Sequence, residues 1–439
     1  MPSVIVAGAG LAGLAAAAVL SEAGCEVDIY ESRPYPGGRA TSYAIPSGTE
    51  EMRVVDNCQH ILLRCCTNLL DFYRRLGVSG RLTFHDKFYW IEPGGRTSVF
   101  RSGNLPAPAH FAESFTTLKF LGVREKVAVA RAMLAARADR RSYEELDAMS
   151  MQDWLVEHTQ PLRAIESFWR QVLVSAVNEE LESMSAWHGL QVVRLGFLAT
   201  RDASQMGVPD VPLGDLYRAE FWRRFPATRF HFRQGVASIG HVCRLASGVE
   251  QRADYYVSAV PFDKVEAMVT GYSAPLLEHS PITGVHLWFD RAITDLPHAT
   301  LLERDIQWVF NKGSGRQLEL VISASRSLVG MSRADVLDMC VRQLAEYFPA
   351  VLDAQLLHGL VSKEIKATIA AIPGTGARRP GCTTPLSNVF VAGDWTATRW
   401  PSTMEGAVRS GYIASESVLR AAGIPTKACV ADIDGSSWS

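Results

Sequence analysis

The chain has 439 residues, 47% of them hydrophobic and 21% charged, with 44 Lys and Arg against 46 Asp and Glu. This length predicts two or three structural units, and the composition excludes a disordered or low-complexity chain. The near-zero net charge gives no support for a nucleic-acid partner, and the eight cysteines, which have no CxxC spacing, predict neither a metal site nor a disulfide framework.

The first predicted elements are a buried strand and a helix joined by a glycine turn. Ser3–Ala7 is apolar and β-branched, three glycines follow in the spacing GxGxxG, and alanine-rich residues then run to Leu20. Glycines at this spacing allow the tight turn, the approach of a pyrophosphate and the packing of helix on strand, while the helix start offers N–H groups to phosphate. The turn therefore predicts a dinucleotide site with contacts at Gly8, Gly10, Leu11, Ala12 and Gly13.

The second predicted strand, Glu26–Tyr30, ends in an acidic residue. Glu31 stands 18 residues after Gly13. A carboxylate at this distance accepts hydrogen bonds from the ribose hydroxyls of a dinucleotide. The strand, turn, helix and acidic residue thus occur in the order that such a site requires.

A second glycine turn follows, between two arginines, in the sequence Ser32-Arg33-Pro-Tyr-Pro-Gly37-Gly38-Arg39. The glycines let the backbone close over a diphosphate, and each guanidinium is a forked donor to its oxygens. The segment resembles the R-x-x-x-G-G-R extension of flavoprotein amine oxidases, phytoene desaturases and their relatives. The resemblance implies that the dinucleotide is FAD and that it contacts Ser32, Arg33, Gly37, Gly38 and Arg39.

A C-terminal segment resembles the same families. A predicted strand ends in Gly393-Asp394, and Thr403-Met404 leads into a predicted helix, Val408–Ala421. The resemblance implies that the aspartate binds the ribityl or pyrophosphate portion of the flavin. It also implies that the helix start faces the flavin ring, where negative charge gathers on reduction.

The last contact implied by this resemblance is Val236, which follows Gly235 and would meet the adenine through its backbone. The segment Gly374-Thr-Gly376 begins like a second GxGxxG, but arginine stands at position 379, where the third glycine would be. The sequence therefore contains no second GxGxxG. We therefore expect electrons to come from a separate donor rather than from NAD(P)H bound to the same chain.

These assignments predict an α/β fold with two domains. A Rossmann-like FAD-binding domain comprises residues 1–75, 210–272 and 376–425. A discontinuous α+β substrate-binding domain comprises 76–209, predicted to be largely helical, and 281–372, predicted to be antiparallel strands with a helix over Arg333–Tyr347. We expect residues 426–439 to be a flexible tail.

Two blocks, Val55–Leu63 and Pro281–Arg291, resemble bacterial hydroxysqualene dehydroxylases, also called squalene-associated FAD-dependent desaturases. The resemblance implies a long-chain isoprenoid substrate. It implies reductive removal of the allylic hydroxyl of hydroxysqualene, with hydride from reduced flavin N5, to give squalene for hopanoid or other triterpenoid synthesis.

Other functions stay open at this point. The motifs that predict FAD do not decide the redox direction, so an FAD-dependent carotenoid or squalene desaturase, or an isomerase, is the enzymatic alternative. An amine oxidase is disfavoured because the substrate-side blocks resemble the terpenoid enzymes. A prenyl-lipid-binding chaperone of the same fold is the alternative that is not an enzyme.

The candidate catalytic residues are Gln59, His60 and Glu405. In the wider family the block after Asp56 passes the flavin ring, and a histidine titrates in the range useful for protonating a leaving hydroxyl. His60 has the alternative of a hydrogen-bonded core residue, and Glu405 that of a carboxylate at a helix start. His286 is a further, weaker candidate.

We expect a cytoplasmic protein, peripheral on the inner face of the membrane if it contacts lipid. Residues 105–121 are rich in Phe and Leu with few charges, which is compatible with contact at a membrane surface. An internal helix face explains the same pattern.

Overall fold

The computed structural model of the protein describes residues 1–46 and 52–433. Its first layer is a parallel sheet whose strands come from distant parts of the chain. In spatial order the five strands are Thr228–Phe232, Glu26–Glu31, Ser3–Ala7, Tyr255–Ser258 and Val389–Val391. All five lie in the three segments assigned to the FAD-binding domain. The central strand, Ser3–Ala7, is apolar on both faces because one face packs on the first and last helices of the chain and the other on the helix Phe262–Met268 and a small antiparallel meander.

The α-helices are taken in chain order. They are α1 (Leu11–Glu22), α2 (Thr67–Leu76), α3 (Ala112–Thr116), α4 (Val123–Ala138), α5 (Tyr143–Asp147), α6 (Met151–Glu157), α7 (Leu162–Ala164), α8 (Arg170–Val177), α9 (Ala186–Gln191), α10 (Phe262–Met268), α11 (Arg333–Tyr347), α12 (Thr375–Arg378) and α13 (Met404–Ala421). Two π-helical turns, Ile165–Trp169 and Val192–Leu198, continue α7 and α9. Short 3₁₀ turns lie at Ser79–Arg81, Ala109–Phe111, Leu213–Tyr217, Ala219–Arg224, Arg326–Leu328 and Pro349–Val351.

The first and last helices pack tightly against each other beside the parallel sheet. A Cβ placed on Gly411 of α13 would lie 2.3 Å from the Ala12 carbonyl oxygen of α1. The Ser415 hydroxyl of α13 donates a hydrogen bond to the Ala16 carbonyl oxygen at 3.2 Å. This contact joins the two ends of the chain, so the glycine turn before α1 and the start of α13 are held in one unit.

The second layer is a seven-stranded sheet. Its strands, in spatial order, are Leu356–Ile369, His279–Phe289, Gln317–Ile322, Trp308–Gly313, His298–Leu301, Lys87–Ile91 and Thr97–Arg101. Neighbours are antiparallel except for the parallel pair His298–Leu301 and Lys87–Ile91. One face packs on α11, which spans the residues predicted from its period. The other face looks toward the cavities described below.

Three small sheets complete the strands. A hairpin pairs Ser42–Pro46 with Met52–Asp56, and a meander joins Val236–Ile239, Cys243–Leu245 and Glu250–Gln251. The third sheet has the order Leu62–Leu63, Met206–Pro209, Leu82–His85.

The mixed architecture confirms the predicted fold class, with a difference in the first insertion. Residues 76–209 are not helical throughout, because Leu82–His85, Lys87–Ile91, Thr97–Arg101 and Met206–Pro209 are strands. Two of these strands form the edge of the seven-stranded sheet, whose other members lie some two hundred residues later in the chain. Pairing with a distant strand, rather than local pattern, sets their conformation.

The predicted flexible tail also differs in its first part. The backbone N–H groups of Ala428 and Cys429 donate to the Glu416 carboxylate at 2.7 and 2.8 Å, and Asp432 pairs with Arg409 at 2.6 Å. Residues 426–433 are therefore fixed against α13, whereas the rest of the predicted tail lies outside the described residues.

Most of the large apolar side chains of segment 105–121 point inward, although Leu105 is exposed. Phe111, Leu118, Phe120 and Leu121 are buried in the core of the helical region, which fits an internal helix face. Within the part of the chain that the structure describes, no helix has both the length and the apolar character to cross a membrane.

Candidate cofactor and substrate site

A cavity of about 660 Å³ lies at the carboxyl ends of the parallel strands. We call it the cofactor cavity. All sixteen predicted cofactor contacts except Gly13 line it, namely Gly8, Gly10, Leu11, Ala12, Glu31, Ser32, Arg33, Gly37, Gly38, Arg39, Val236, Gly393, Asp394, Thr403 and Met404. Residues from four separate stretches of sequence thus surround one space, although their individual contacts with FAD stay predictions.

Part of the wall of this cavity is glycine backbone without side chains. Gly38 has a φ of +63°, and a Cβ placed on it would lie 3.0 Å from the Gly10 Cα, so two turns meet here with no room for side chains. Gly13 does not line the cavity because its role is in packing, since a Cβ there would lie 2.0 Å from the Gly8 carbonyl oxygen. The wall is therefore bare backbone, as the approach of a diphosphate requires.

Glu31 is buried at the end of its strand and is held by local donors. One carboxylate oxygen accepts the Ala9 N–H at 2.8 Å, and the other accepts the Arg33 N–H at 2.8 Å and the Ser32 hydroxyl at 3.1 Å. These bonds fix the orientation of the carboxylate at the cavity wall. The oxygen that accepts only the Ala9 N–H keeps acceptor capacity for a ribose hydroxyl, because an ionised carboxylate offers about two lone pairs on each oxygen.

Asp394 and Arg39 form an ion pair across the cofactor cavity. The Arg39 guanidinium donates to the Asp394 carboxylate at 2.6 Å and to the Ala367 carbonyl oxygen at 2.6 Å, and the Ser402 hydroxyl donates to the second Asp394 oxygen. Burial by itself would raise the pKa of the Asp394 carboxyl, but the nearby cation and the hydroxyl outweigh burial and hold this pKa below its ordinary value. Asp394 is thus an anion that can accept hydrogen bonds from a ribityl chain.

The start of α13 forms the far end of this cavity. Thr403 is the N-cap residue, and its hydroxyl accepts the Gly406 N–H at 3.2 Å. The first turn of the helix, beginning at Met404, presents free N–H groups and the positive end of the helix dipole. A flavin ring placed here would meet a group that stabilises negative charge.

A second, apolar cavity of about 200 Å³ adjoins the first; we call it the apolar cavity. Its lining is drawn from both domains and includes Leu63, Phe88, Trp90, Phe100, Val192, Leu195, Phe197 and Trp400. The two cavities share the residues Ile61, Ser175, Ala176, Trp308, Thr403 and Met404, which we call the junction. The apolar cavity therefore opens onto the end of the cofactor cavity that the helix start faces.

His60 and Gln59 line the cofactor cavity beside this junction. The His60 Nδ1 lies 2.6 Å from the Cys58 carbonyl oxygen, which can only accept, so Nδ1 carries the proton and Nε2 keeps its lone pair. Burial lowers the pKa of the His60 imidazole. The ring is thus neutral near pH 7, so it is better suited to accept a proton than to donate one.

Glu405 lines the apolar cavity but its carboxylate serves another helix. Its oxygens accept the Asn68 N–H at 3.2 Å and the Leu69 N–H at 2.7 Å, at the start of α2, and Arg409 lies 3.2 Å away. Burial raises the pKa of the Glu405 carboxyl, with these donors acting in the opposite direction. Glu405 is thus a carboxylate at a helix start, as its alternative role predicts, but the helix that it caps is α2 and not its own helix α13.

A buried charged cluster lies behind Gln59, and the sequence analysis did not foresee it. Lys312 donates to the Gln59 side-chain oxygen at 2.8 Å and to Asp56 at 3.1 Å. Glu319 is wholly buried, with its oxygens 3.9 Å from the Lys312 Nζ and 3.9 Å from the His286 Nε2. Burial raises the pKa of Glu319 to about 8 and lowers that of His286 to about 4. Through the hydrogen bond from Lys312, the cluster holds the segment that carries Gln59 in place.

One signal in the sequence could have revealed this cluster. Glu319 and Lys312 lie on the same strand faces as Val321, Trp308 and Phe310, which are apolar or aromatic. A charged residue on a buried strand face requires a partner. The partner could not be identified without the register of the strands.

Comparison with known proteins gives a consistent assignment. Residues 11–419 match the family described as flavin containing amine oxidoreductase. The chain is 26% identical to a 15-cis-phytoene desaturase of Synechococcus elongatus, covering 95% of each chain, and 25% identical to a probable zeta-carotene desaturase of the same organism, covering 96% of this chain and 99% of the relative.

Among solved structures, an oxidoreductase from Methanosarcina mazei superposes with a TM-score of 0.72 at 18% identity, over 94% of this chain and 99% of that one. At this identity the superposition shows the shared fold. Together with the cavity of glycines, Glu31 and Asp394, the family match places the chain among the flavin containing amine oxidoreductases, with FAD as its cofactor.

Proposed function

We propose that the protein is an FAD-dependent desaturase of a long isoprenoid hydrocarbon of the carotenoid type. The observation that carries this proposal is the apolar cavity that meets the cofactor cavity at the junction. Its lining is dominated by aromatic and aliphatic side chains, which suits a hydrocarbon, and among the described residues that line it Glu405 alone could pair with an amine. Relatives named as phytoene and zeta-carotene desaturases over nearly the full chain support the same substrate class.

The proton chemistry of the site supports the oxidative direction. Desaturation removes a hydride from one carbon and a proton from its neighbour, which leaves a double bond between them. FAD, when bound at this cavity, would supply the hydride acceptor, with a separate oxidant as the final acceptor of the two electrons. The chain must supply the proton acceptor, and the neutral imidazole of His60, oriented by its Nδ1–H bond to Cys58, is the candidate at the cofactor cavity.

The test uses oxidised holoprotein under anaerobic conditions. Phytoene in detergent micelles is added, the oxidised flavin absorbance is followed, and the lipids are extracted for mass spectrometry, with a soluble quinone present for multiple turnovers. We expect the flavin to bleach without the quinone and a product two hydrogens lighter to accumulate with it. A flavin that stays oxidised while phytoene remains unchanged would contradict desaturation.

Reductive dehydroxylation of hydroxysqualene is the second candidate. It is favoured by the blocks Val55–Leu63 and Pro281–Arg291, whose residues resemble hydroxysqualene dehydroxylases. This reaction needs a proton donor for the leaving hydroxide, and a neutral His60 is less suited to that role. Dithionite-reduced holoprotein mixed with hydroxysqualene distinguishes the two candidates, because only a dehydroxylase would reoxidise its flavin and form squalene.

A further inference from the structure

Helix α4 carries exposed apolar residues on the side opposite its buried face. Val129, Ala132 and Ala136 are buried in the core of the helical region. On the opposite side Val123 is 78% exposed and Leu134 is 62% exposed. An ordinary surface helix has one apolar face, which is turned toward the core.

The exposed apolar residues form one continuous stripe. With 3.6 residues per turn, Val123, Val127, Ala130 and Leu134 fall within about 60° of one another around the helix axis. All four are exposed. We call these four residues the α4 stripe.

Arginines border the α4 stripe on both sides. Arg124 and Arg131 lie on one side and Arg137 on the other, and all three are exposed. Arg141, just beyond the helix, differs because Asp139 and Glu157 neutralise it at 2.7 and 3.0 Å. An apolar stripe between cationic side chains complements a surface that is apolar inside and anionic outside, as an anionic lipid layer is.

The α4 stripe lies on the outer side of the apolar cavity wall. The inner face of α4 packs against the π-helical turn Val192–Leu198, and Leu195 and Phe197 of that turn line the apolar cavity. The buried Arg194 of the same turn donates to the Ala136 carbonyl oxygen at 2.7 Å, which ties the end of α4 to the wall. One layer of structure thus has the apolar cavity on one side and the stripe on the other.

We propose that α4 docks the protein on an anionic lipid bilayer, with the α4 stripe inserted among the acyl chains and the arginines at the headgroups. The proposal rests on the proposed function, which it deepens. A hydrocarbon substrate resides in the bilayer, so docking there would bring the protein to its substrate. The binding itself needs neither substrate nor turnover, so the two proposals can fail separately.

The test is flotation of the FAD-loaded protein with lipid vesicles. Vesicles of phosphatidylglycerol and phosphatidylcholine in equal parts are compared with vesicles of phosphatidylcholine alone, at low and high salt. We expect the protein to float with the anionic vesicles and to be released from them by high salt. Wild-type protein that stays at the bottom with both vesicles would overturn the proposal.

Matched variants test whether α4 is the element that binds the vesicles. Leu134→Glu should lower the fraction bound to anionic vesicles at least tenfold, whereas Leu276→Glu, at an 84% exposed leucine elsewhere, should leave it unchanged. The double change Arg131→Ser and Arg137→Ser should weaken binding about 25-fold, since each arginine near such a surface contributes about fivefold. Equal losses in Leu134→Glu and Leu276→Glu would overturn the assignment to α4.

Two further measurements separate a loss of lipid binding from misfolding and from self-association. Flavin absorbance and thermal melting establish that each variant is folded and loaded. Sedimentation without vesicles tests the other occupant of an apolar stripe, a second copy of the chain. A wild-type dimer that Leu134→Glu converts to monomer would overturn lipid docking in favour of self-association.

Discussion

The cofactor cavity and the apolar cavity meet at the junction but are built in opposite ways. The first is formed by glycine backbone, a helix start and a few fixed charges such as Asp394 and Glu31. The second is formed by bulky side chains, among them Trp90, Phe197 and Trp400. The comparison teaches that a site for a diphosphate depends on the absence of side chains, whereas a site for a hydrocarbon depends on their shape. Substitutions in the two cavities should therefore fail in different ways.

The largest expected effect follows from adding one methyl group to the cofactor cavity. Gly38→Ala places a Cβ 3.0 Å from the Gly10 Cα at a left-handed φ, so the two turns must separate. We expect the affinity for FAD to fall at least several hundredfold, measured by flavin retained after purification and by fluorescence titration of the apoprotein. Gly248→Ala is the control, because it has a φ of +86° with nothing within 4 Å of its Cβ. Equal flavin loss in both variants would mean that backbone strain, and not the cavity, explains the effect.

The buried charged cluster behind the cofactor cavity provides a test by pH. The pKa of Glu319 is about 8 in the folded protein, above its ordinary value of 4.5, so the folded state holds a proton that the unfolded state releases. The stability that this group contributes is full below pH 4.5 and is lost as the pH rises toward 8. Glu319→Gln should therefore gain stability relative to wild type between pH 5.5 and 8, by about 3 kcal/mol. Parallel urea denaturation at several pH values measures the difference, and a difference that does not vary with pH would contradict a protonated Glu319.

A change at His60 tests the proton acceptor. His60→Gln keeps a polar side chain but removes the basic nitrogen, so flavin reduction by phytoene should slow about a hundredfold while FAD stays bound. His358→Gln, at a half-buried histidine outside both cavities, should react at the wild-type rate. Rapid-mixing absorbance of the flavin gives both rates. An unchanged rate in His60→Gln would mean that His60 is not the proton acceptor and has only a structural role.

The smallest expected effect comes from reshaping the apolar cavity. Val192→Phe adds bulk to a residue that lines only this cavity, so kcat/KM for the hydrocarbon should fall about tenfold with the flavin spectrum unchanged. Val341→Phe, at a half-buried valine of α11 on the far side of the seven-stranded sheet, should leave kcat/KM unchanged. Loss of flavin in Val192→Phe would mean that the two cavities are less separate than their linings indicate.

The sequence predicted the cofactor cavity far better than the apolar one, for a physical reason. Strand, glycine turn, helix and acidic residue are neighbours along the chain, so local spacing carries the information for the Gly8–Glu31 region. The apolar cavity combines Ile61, Val192 and Trp400, which only the tertiary fold brings together. Apolar residues in a pattern are expected in any core, so nothing local marks those that line a cavity.

The misses in the fold have the same origin. The strands Lys87–Ile91 and Thr97–Arg101 pair onto a sheet formed by residues about two hundred positions later, which local pattern does not encode. The ordered part of the tail depends on the side chain of Glu416, which accepts two of its N–H groups. In both cases a tertiary contact, and not the local pattern, decides the conformation.

The junction also bears on the order in which the two ligands enter. Because Thr403 and Met404 belong to both linings, a flavin bound in the cofactor cavity would close one side of the apolar cavity. If the proposed hydrocarbon occupies the apolar cavity, we expect it to bind after the flavin. Protein stripped of flavin should then bind the hydrocarbon more weakly.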